Sequence, residues 1–486
     1  MKKITFLLAG ALLLTGCGSR NVSRDTIESG SEPNEDIVLT LATLTELDTD
    51  EPLYKAIQSF NEADNGCTVR LKTYASRFDA DGNVHGFYED EITQLHFEAV
   101  QDLINSDDID IVRPDSVGVA KYEAFKNKGA FADLYAFMED DPEVNRETLN
   151  AHVLGLNEKD GKLYSIPAYY YATTLIGKSE YVGTKRNWSL GEFIDRWNAM
   201  PEGSTVNGSV NAEGIYYDIL RQNSRAFVDY DNLEVHFDAP DFRDTLEFLS
   251  SFPTNHGDKN IIDYNAPQLV RCERIESVGS ALRSEMDYTT YQQTTFRVRD
   301  GSYTYVGYPS SDGQGAFLAG SGTELSIRGN IPKERQEAAW KFIRQFYTED
   351  YQVENYRERY EGYNSITQKE EITWSEPSGF CINDAARKRT AEKTVNGDYA
   401  PVGVTLTVGG REVEQVGEEL TLDEADCQYI FDYIDSIDRW EESSIDRELF
   451  NIVEPEVLAY LGGDQDIDKT IDVIQNRPSI WISEQY

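Results

Sequence analysis

The sequence predicts an α/β protein divided into two lobes, and three observations lead there. The chain has 486 residues, whereas single cores stop growing at roughly 250–300 residues, so two cores are expected. From Ile37 onward, apolar residues alternate between strand and helix periods, the pattern of a mainly parallel sheet. Beyond Gly161-Lys162-Leu163-Tyr164-Ser165-Ile166-Pro167 the texture changes to aromatics, turns and short helices.

Each element has its own signal. Ile37-Val38-Leu39-Thr40-Leu41 is a β-type run, Leu53, Ile57 and Phe60 fall at helical spacing, and Val69, Leu71 and Thr73 alternate as a strand. Strand, helix and strand within about forty residues make a βαβ unit with a right-handed crossover. Ile92, Leu95, Ala99 and Leu103 mark the next helix, and Ile109-Asp110-Ile111-Val112 a short strand. After the aromatic stretch, which holds Trp188, Trp197, Tyr216 and Tyr217, Tyr303–Tyr308 reads as β. Glu324-Leu325-Ser326-Ile327 follows a Gly/Ser-rich turn, and Pro332 opens a helix with Ala339, Ile343 and Phe346 on one face. The part beyond about residue 350 carries Trp374 and two acidic helices.

The first 36 residues are of another kind. Met-Lys-Lys, an apolar run from Ile4 to Leu14 and then Leu14-Thr15-Gly16-Cys17 describe a secretory signal. A cysteine directly after Leu-x-Gly makes it a bacterial lipoprotein signal, with Cys17 as the lipidated mature N-terminus. The apolar run is too short to span a bilayer, which takes roughly 20 residues. Residues 18–36 are polar and rich in Ser, Asn and acids, a composition that stays flexible and serves as a spacer.

Charge narrows the partners. With 87 acidic against 45 basic residues the formal net charge is −42, which argues against nucleic acid, since phosphate binding needs Lys and Arg stripes. It argues equally against a polybasic membrane patch, leaving the lipid as the anchor. Cys67, Cys272, Cys381 and Cys427 are widely spaced, with no C-x-x-C; as disulfides they allow three pairings, and buried free thiols are the equal alternative. Asp79, Asp81 and Asn83 have the oxygen spacing of a calcium loop, but Val84 replaces the required Gly and Asp90 the required Glu, so a solvated turn is expected. The histidines, at 85, 96, 152, 236 and 256, show no paired zinc spacing. No cofactor is expected.

Several segments together resemble family 1 extracellular solute-binding proteins, the lipid-anchored sugar-binding components of bacterial ABC importers. They are the lipobox at Cys17, Ala56-Ile57-Gln58-Ser59-Phe60-Asn61, Lys128-Gly129-Ala130-Phe131-Ala132-Asp133-Leu134, and the Gly161–Pro167 segment. Gly307-Tyr308-Pro309, Ala338-Ala339-Trp340-Lys341-Phe342-Ile343, Ile474-Gln475-Asn476-Arg477 and Ile480-Trp481 complete the set. The order and spacing of these pieces agree with the family as well as their content. One departure is Asp108-Ile109-Asp110-Ile111-Val112, which lacks the Gly and Pro of the family's Gly-x-Pro-Asp-Ile.

The resemblance implies a two-lobe periplasmic-binding-protein-like α/β fold with a hinge and an interlobe cleft. Residues 37–167 with 307–348 would form the N-terminal lobe, and 168–306 with 349–486 the C-terminal lobe. Crossings are expected near 165–170, 305–309 and 345–352. The implied function is capture of a carbohydrate by a monomer held outside the cell membrane by its lipid, and delivery to the permease subunits. Two alternatives remain open at this level: a surface glycoside hydrolase using two carboxylates, and a ligand-sensing lipoprotein.

Sugar sites pair aromatic rings with a few polar groups. Within Tyr169-Tyr170-Tyr171, just past the first crossing, Tyr169 and Tyr170 are candidates, although strand alternation turns at least one tyrosine of the three toward a core. Tyr308 and Asp312 at the second crossing, Trp374 beside Glu376 in a loop-like segment, and Asp115 after the third strand, where open α/β sheets meet ligands, complete the candidate set.

Overall fold

The computed structural model describes residues 37–484, apart from 64, 79–85, 221–226, 230–231, 255–264, 311–314, 356, 358, 365–368, 400–406, 409–410, 418–419 and 442–446. Cys17, the polar spacer and the Asp79–Asn83 turn lie outside the described residues.

The first sheet grows from the expected βαβ unit. β1 (Ile37–Thr45) is followed by α1 (Pro52–Glu62), β2 (Cys67–Ala75), α2 (Glu89–Asn105) and β3 (Ile111–Val112). β1 pairs in parallel with both β2 and β3, and Ser326–Ile327 adds an antiparallel strand beyond β3. α1 opens on a proline and buries Leu53, Ala56, Ile57 and Phe60 against the sheet. Asn61 fixes its far end: the side-chain amide donates to Val69 O and accepts from Val69 N, both at 2.8 Å. β3 is shorter than the predicted strand because Asp110 turns inward. Its fully buried carboxylate accepts from Thr40 N at 2.8 Å and from Arg335 Nε and Nη2 at 2.7 and 2.6 Å. Arg335 belongs to the helix Lys333–Ile343, which opens after Pro332 as expected and sets Phe342 edge-on against Phe60. α3 (Val119–Asn127) follows β3.

The second sheet is organised around β4 (Pro167–Lys178), a strand of twelve residues. Tyr303–Tyr305 and then Phe317–Glu324 flank it on one side; Arg271–Ile275 and then Phe380–Cys381 flank it on the other. Ile176, paired with both Tyr305 and Arg271, and Thr173, paired with both Phe317 and Arg274, establish this arrangement. Both faces of β4 are covered. Tyr170, Ala172 and Ile176 join the core that continues into the first sheet, with Tyr305, Phe380 and Tyr433. Tyr171 and Leu175 join a second core with Phe193, Phe242, Phe317 and Leu449. The alternation is that of any strand, but here both sides are apolar. The C-terminal part supplies the helices Glu424–Ile434, Arg447–Leu461 and Ile467–Ser483.

The chain passes between the sheets at three places. It leaves the first sheet through Tyr164–Ile166 into β4, and returns at Leu325, between the strands Phe317–Glu324 and Ser326–Ile327. It crosses again between Ile343 and Phe380. The return expected at 305–309 is therefore displaced. Tyr305 is paired to Ile176 and Tyr308 N donates to Gly315 O at 2.7 Å, so this stretch stays with the second sheet. Residues 307–324, assigned from sequence to the N-terminal lobe, are part of the second sheet's run of chain. Trp374, expected in a loop, ends the strand Lys369–Trp374, which pairs with Arg359–Asn364. Cys67, Cys272, Cys381 and Cys427 form no disulfide with one another.

Candidate functional site

Three of the predicted contacts are packing residues. Tyr169, Tyr170 and Tyr308 are fully buried. The Tyr169 hydroxyl donates to Gln352 O at 2.9 Å, and the Tyr170 hydroxyl accepts from Arg387 Nη1 at 2.7 Å. Tyr308 lies stacked at 6.0 Å on Phe317. For Tyr169 and Tyr170 the cause is β4 itself, which is paired on both sides at these positions and covered on the faces they point to. Asp312 lies outside the described residues, and Trp374 is placed only as the last residue of its strand. Asp115 is exposed on the turn Pro114–Ser116 and ion-paired to Arg113 at 2.8 Å. The structure therefore does not gather the six candidates into one site.

It gathers another set. The carboxyl ends of β1, β2 and β3 point to one edge of the first sheet, where open α/β sheets take ligands. Arg77 stands there after β2, its amide donating to Glu46 at 2.6 Å and its guanidinium to Asp48 at 2.6 Å, and the Arg113–Asp115 pair follows β3, across β1 from it. Two passages leave from the same edge: Leu325 precedes the strand paired to β3, and Glu324 pairs with Pro167 at the start of β4. A buried hydroxyl network locks them together. Tyr122 Oη lies 2.7 Å from Ser165 Oγ and 2.6 Å from Ser326 Oγ, and Ser165 donates to Glu324 at 2.6 Å. Burial, with Glu324 nearby, pushes the Tyr122 pKa well up, so its proton stays in the network.

About 13 Å along β4 from Pro167, the buried ring of Tyr171 lies beneath an ion pair that reaches the surface. Arg274 lies over its ring at 3.7 Å and pairs with Glu276. Ala319 pairs with both Tyr171 and Glu441, so the Glu441–Arg439 pair is carried on the neighbouring strands, and Arg439 faces the Phe317 ring at 5.6 Å. Burial raises the Tyr171 pKa, which Arg274 partly offsets and Glu276 and Glu441 reinforce. Arg274 keeps 49% of its side chain exposed and Glu276 37%. Arg–carboxylate pairs on an aromatic floor offer fixed donors and acceptors to a neutral, hydroxyl-rich ligand. Among the described residues no group of three or more His, Cys, Asp or Glu could hold a metal.

No family model matches the chain, and no curated protein sequence does. Solved structures do align with it over most of its length. The sugar-binding protein MalE from Xanthomonas citri is 12% identical, with 92% of this chain and 98% of that chain covered and a TM-score of 0.49. A cyclic alpha-maltosyl-1,6-maltose binding protein from Arthrobacter globiformis is 13% identical, covering 92% and 100% at a TM-score of 0.46. The ABC substrate-binding protein Lmo0181 from Listeria monocytogenes, in complex with cycloalternan, is 12% identical, covering 92% and 99% at 0.44.

Sequence reasoning missed Arg274, Glu276, Arg439 and Glu441. Their meeting depends on the register between strands far apart in the chain, which local spacing does not carry. Tyr171 shares the parity of Thr173, the partner of Arg274, but so does Tyr169, so parity alone does not single it out.

Proposed function

We propose that this chain is an extracellular lipoprotein that binds a carbohydrate between its two sheets and delivers it to the permease of an ABC importer, without chemical change. The observation that carries the reading is the convergence at one edge. Three carboxyl strand ends and two passages meet there, about 13 Å along β4 from the Tyr171–Arg274 face of the second sheet. Chain passages of this kind are where hinge closure takes place, with a few residues absorbing the rotation. Ser165 and Leu325 are the residues in position to do so. The Arg77, Arg113 and Arg274 pairs would then approach the ligand from both sides, and their carboxylates would accept from its hydroxyls. The lipobox at Cys17 and the resemblance of the sequence to family 1 solute-binding proteins support the anchor and the importer.

A thermal-shift screen against neutral mono- and oligosaccharides tests this. A ligand at 100 times its Kd should stabilise the folded chain by about 2.7 kcal/mol. Arg274→Ala should weaken that ligand roughly 10- to 100-fold, the worth of a charge-assisted hydrogen bond, and mass spectrometry should return the sugar intact. A screen with no shift, or a hit indifferent to Arg274→Ala, would reject the site; a cleaved product would reject the binding role.

A further inference from the structure

The Tyr171–Arg274 face continues along the strand Arg271–Ile275. Cys272 pairs with Leu175 and Arg274 with Thr173. Residues two apart share a face, so the Cys272 side chain stands roughly 7 Å from Arg274 on the same side. Tyr171 has Arg274, Glu276 and Glu441 around it, and Tyr308 has Cys272, Glu441 and Asp218. Glu441 is common to both sets. Asp218 therefore belongs to the neighbourhood of the ligand face, at its inner end.

Asp218 arrives there on a widened turn of helix. The helix Ala212–Ile215 runs into a π-helical turn, Tyr216–Leu220, a rare conformation that is frequent at functional sites. Cys272 Sγ lies 3.6 Å from Asp218 O, which seats the turn on the strand. Beside it, the hairpin turn Val206–Ser209 holds Asn207 and Gly208 in left-handed conformations, as two-residue turns of this kind require. The Asn207 amide accepts from Cys272 N at 2.9 Å and donates to the Asp218 carboxylate. Ser209 Oγ donates to Asp218 Oδ2 at 3.1 Å. Gly214 leaves room for that hydroxyl, since a Cβ there would stand 2.6 Å from it.

Both partners of Asp218 are neutral, and no cation among the described residues pairs with it. An ionised carboxylate has about four acceptor positions, so two donors leave about half of them unused. The side chain is half-buried rather than sealed, and burial raises its pKa, as for a carboxylate short of donors. We propose that Asp218 is the specificity-determining carboxylate of the cleft, accepting from two adjacent hydroxyls of a neutral sugar held over the Arg274–Glu276 pair. The assignment rests on the cleft reading above. Asn207 and Ser209 hold the carboxylate in place, and its unused positions take the ligand's hydroxyl donors. A sugar carboxylate would face Asp218, Glu276 and Glu441 together, so acidic sugars are rejected.

Calorimetric titration of the full chain with maltotriose, cellotriose, mannotriose and galactotriose tests this, with trigalacturonic acid as the charged counterpart of the last. A neutral trisaccharide should bind, and Asp218→Asn and Asp218→Glu should each weaken it roughly 10- to 100-fold. The second variant keeps the charge and moves it by one methylene. Each variant is titrated below its own melting temperature, so that folded proteins are compared. Labelling of the half-buried Cys272 thiol by N-ethylmaleimide needs no variant. The bound sugar at about 100 times its Kd should slow it, because a ligand on Asp218 covers the neighbouring thiol. Binding that Arg274→Ala weakens but both Asp218 variants leave unchanged would overturn the role of Asp218 and keep the cleft. So would unchanged Cys272 labelling, or trigalacturonic acid binding as tightly as the neutral sugars. No binding by any neutral trisaccharide, or binding indifferent to Arg274→Ala as well, would overturn both.

Discussion

Gln352 ties the third passage to the first. Fully buried, its Nε2 donates to Ala168 O at 2.6 Å and to Phe346 O at 3.0 Å, while its Oε1 accepts from Asn383 N at 2.9 Å. One side chain thereby satisfies backbone groups of three segments that meet beside β4. Tyr347 adds a second tie, its hydroxyl donating to Ile166 O at 2.7 Å.

Gln352→Leu keeps the volume and removes every one of these bonds. It leaves the Asn383 amide unpaired in the interior and takes a donor from two carbonyls, of which Ala168 O keeps Ile382 N at 3.3 Å; a buried unsatisfied group costs about 1–3 kcal/mol. Urea unfolding should show a loss of about 3 kcal/mol or more. A loss under about 1 kcal/mol would mean that water replaces the amide at no penalty, and that the passages are not held here.

Tyr308 separates packing from polarity. Its ring is fully buried and its hydroxyl lies against the Cys272 thiol, a weak hydrogen-bond partner. Tyr308→Phe removes only that weak contact and should cost under about 1 kcal/mol, while Tyr308→Ala should cost about 3–5 kcal/mol through the cavity it opens. Comparison of the two unfolding midpoints decides this, and equal losses would assign the hydroxyl a role that the packing does not reveal.

Glu376 is buried, with Thr394 Oγ1 donating to it and no cation among the described residues paired to it; burial raises its pKa. The folded chain therefore holds this proton to higher pH than the unfolded chain does. Stability falls as pH rises from the ordinary carboxylate value through the raised one, and stays reduced above it. Glu376→Gln abolishes that loss. Its advantage in thermal melts should be small near about pH 4 and grow toward neutrality; an advantage that shrinks with rising pH would contradict the sign.

Cys381 is 1% exposed, and burial pushes its thiol up to about 12. Since the thiolate is the nucleophile, iodoacetamide at about pH 8 should leave Cys381 unlabelled in the folded protein and label it fully in denaturant. Rapid labelling of the native chain would show that the strand Phe380–Cys381 opens from β4.

The first sheet was legible in the sequence because its signals are local. Leu53, Ile57 and Phe60 fall on one helical face, Pro332 precedes its helix, and the βαβ unit needs only consecutive elements. The second sheet was harder. β4 is apolar on both faces, so Tyr169, Tyr170 and Tyr171 read alike, and nothing in the run tells which ring meets which core. The return passage was misplaced because the stretch from Pro309 to Glu324 read as a Gly/Ser-rich turn, and only its pairing to β4 makes Phe317–Glu324 a strand of the second sheet. Arg274 and Glu441 were invisible for a related reason: each meets Tyr171 through a partner strand whose register is set by the whole sheet.

The double flanking of β4 also bears on how this chain tolerates change in length. One residue added within Tyr170–Ile176 would turn every later side chain to the opposite face. Ala172, Ile176 and their partners in one core would trade places with Leu175 and its neighbours in the other. Strands on both sides hold the register, so no single neighbour could slide to absorb the error. Insertions and deletions are accordingly expected in the turns outside the sheets, and β4 should keep its twelve residues in any functional variant of this protein.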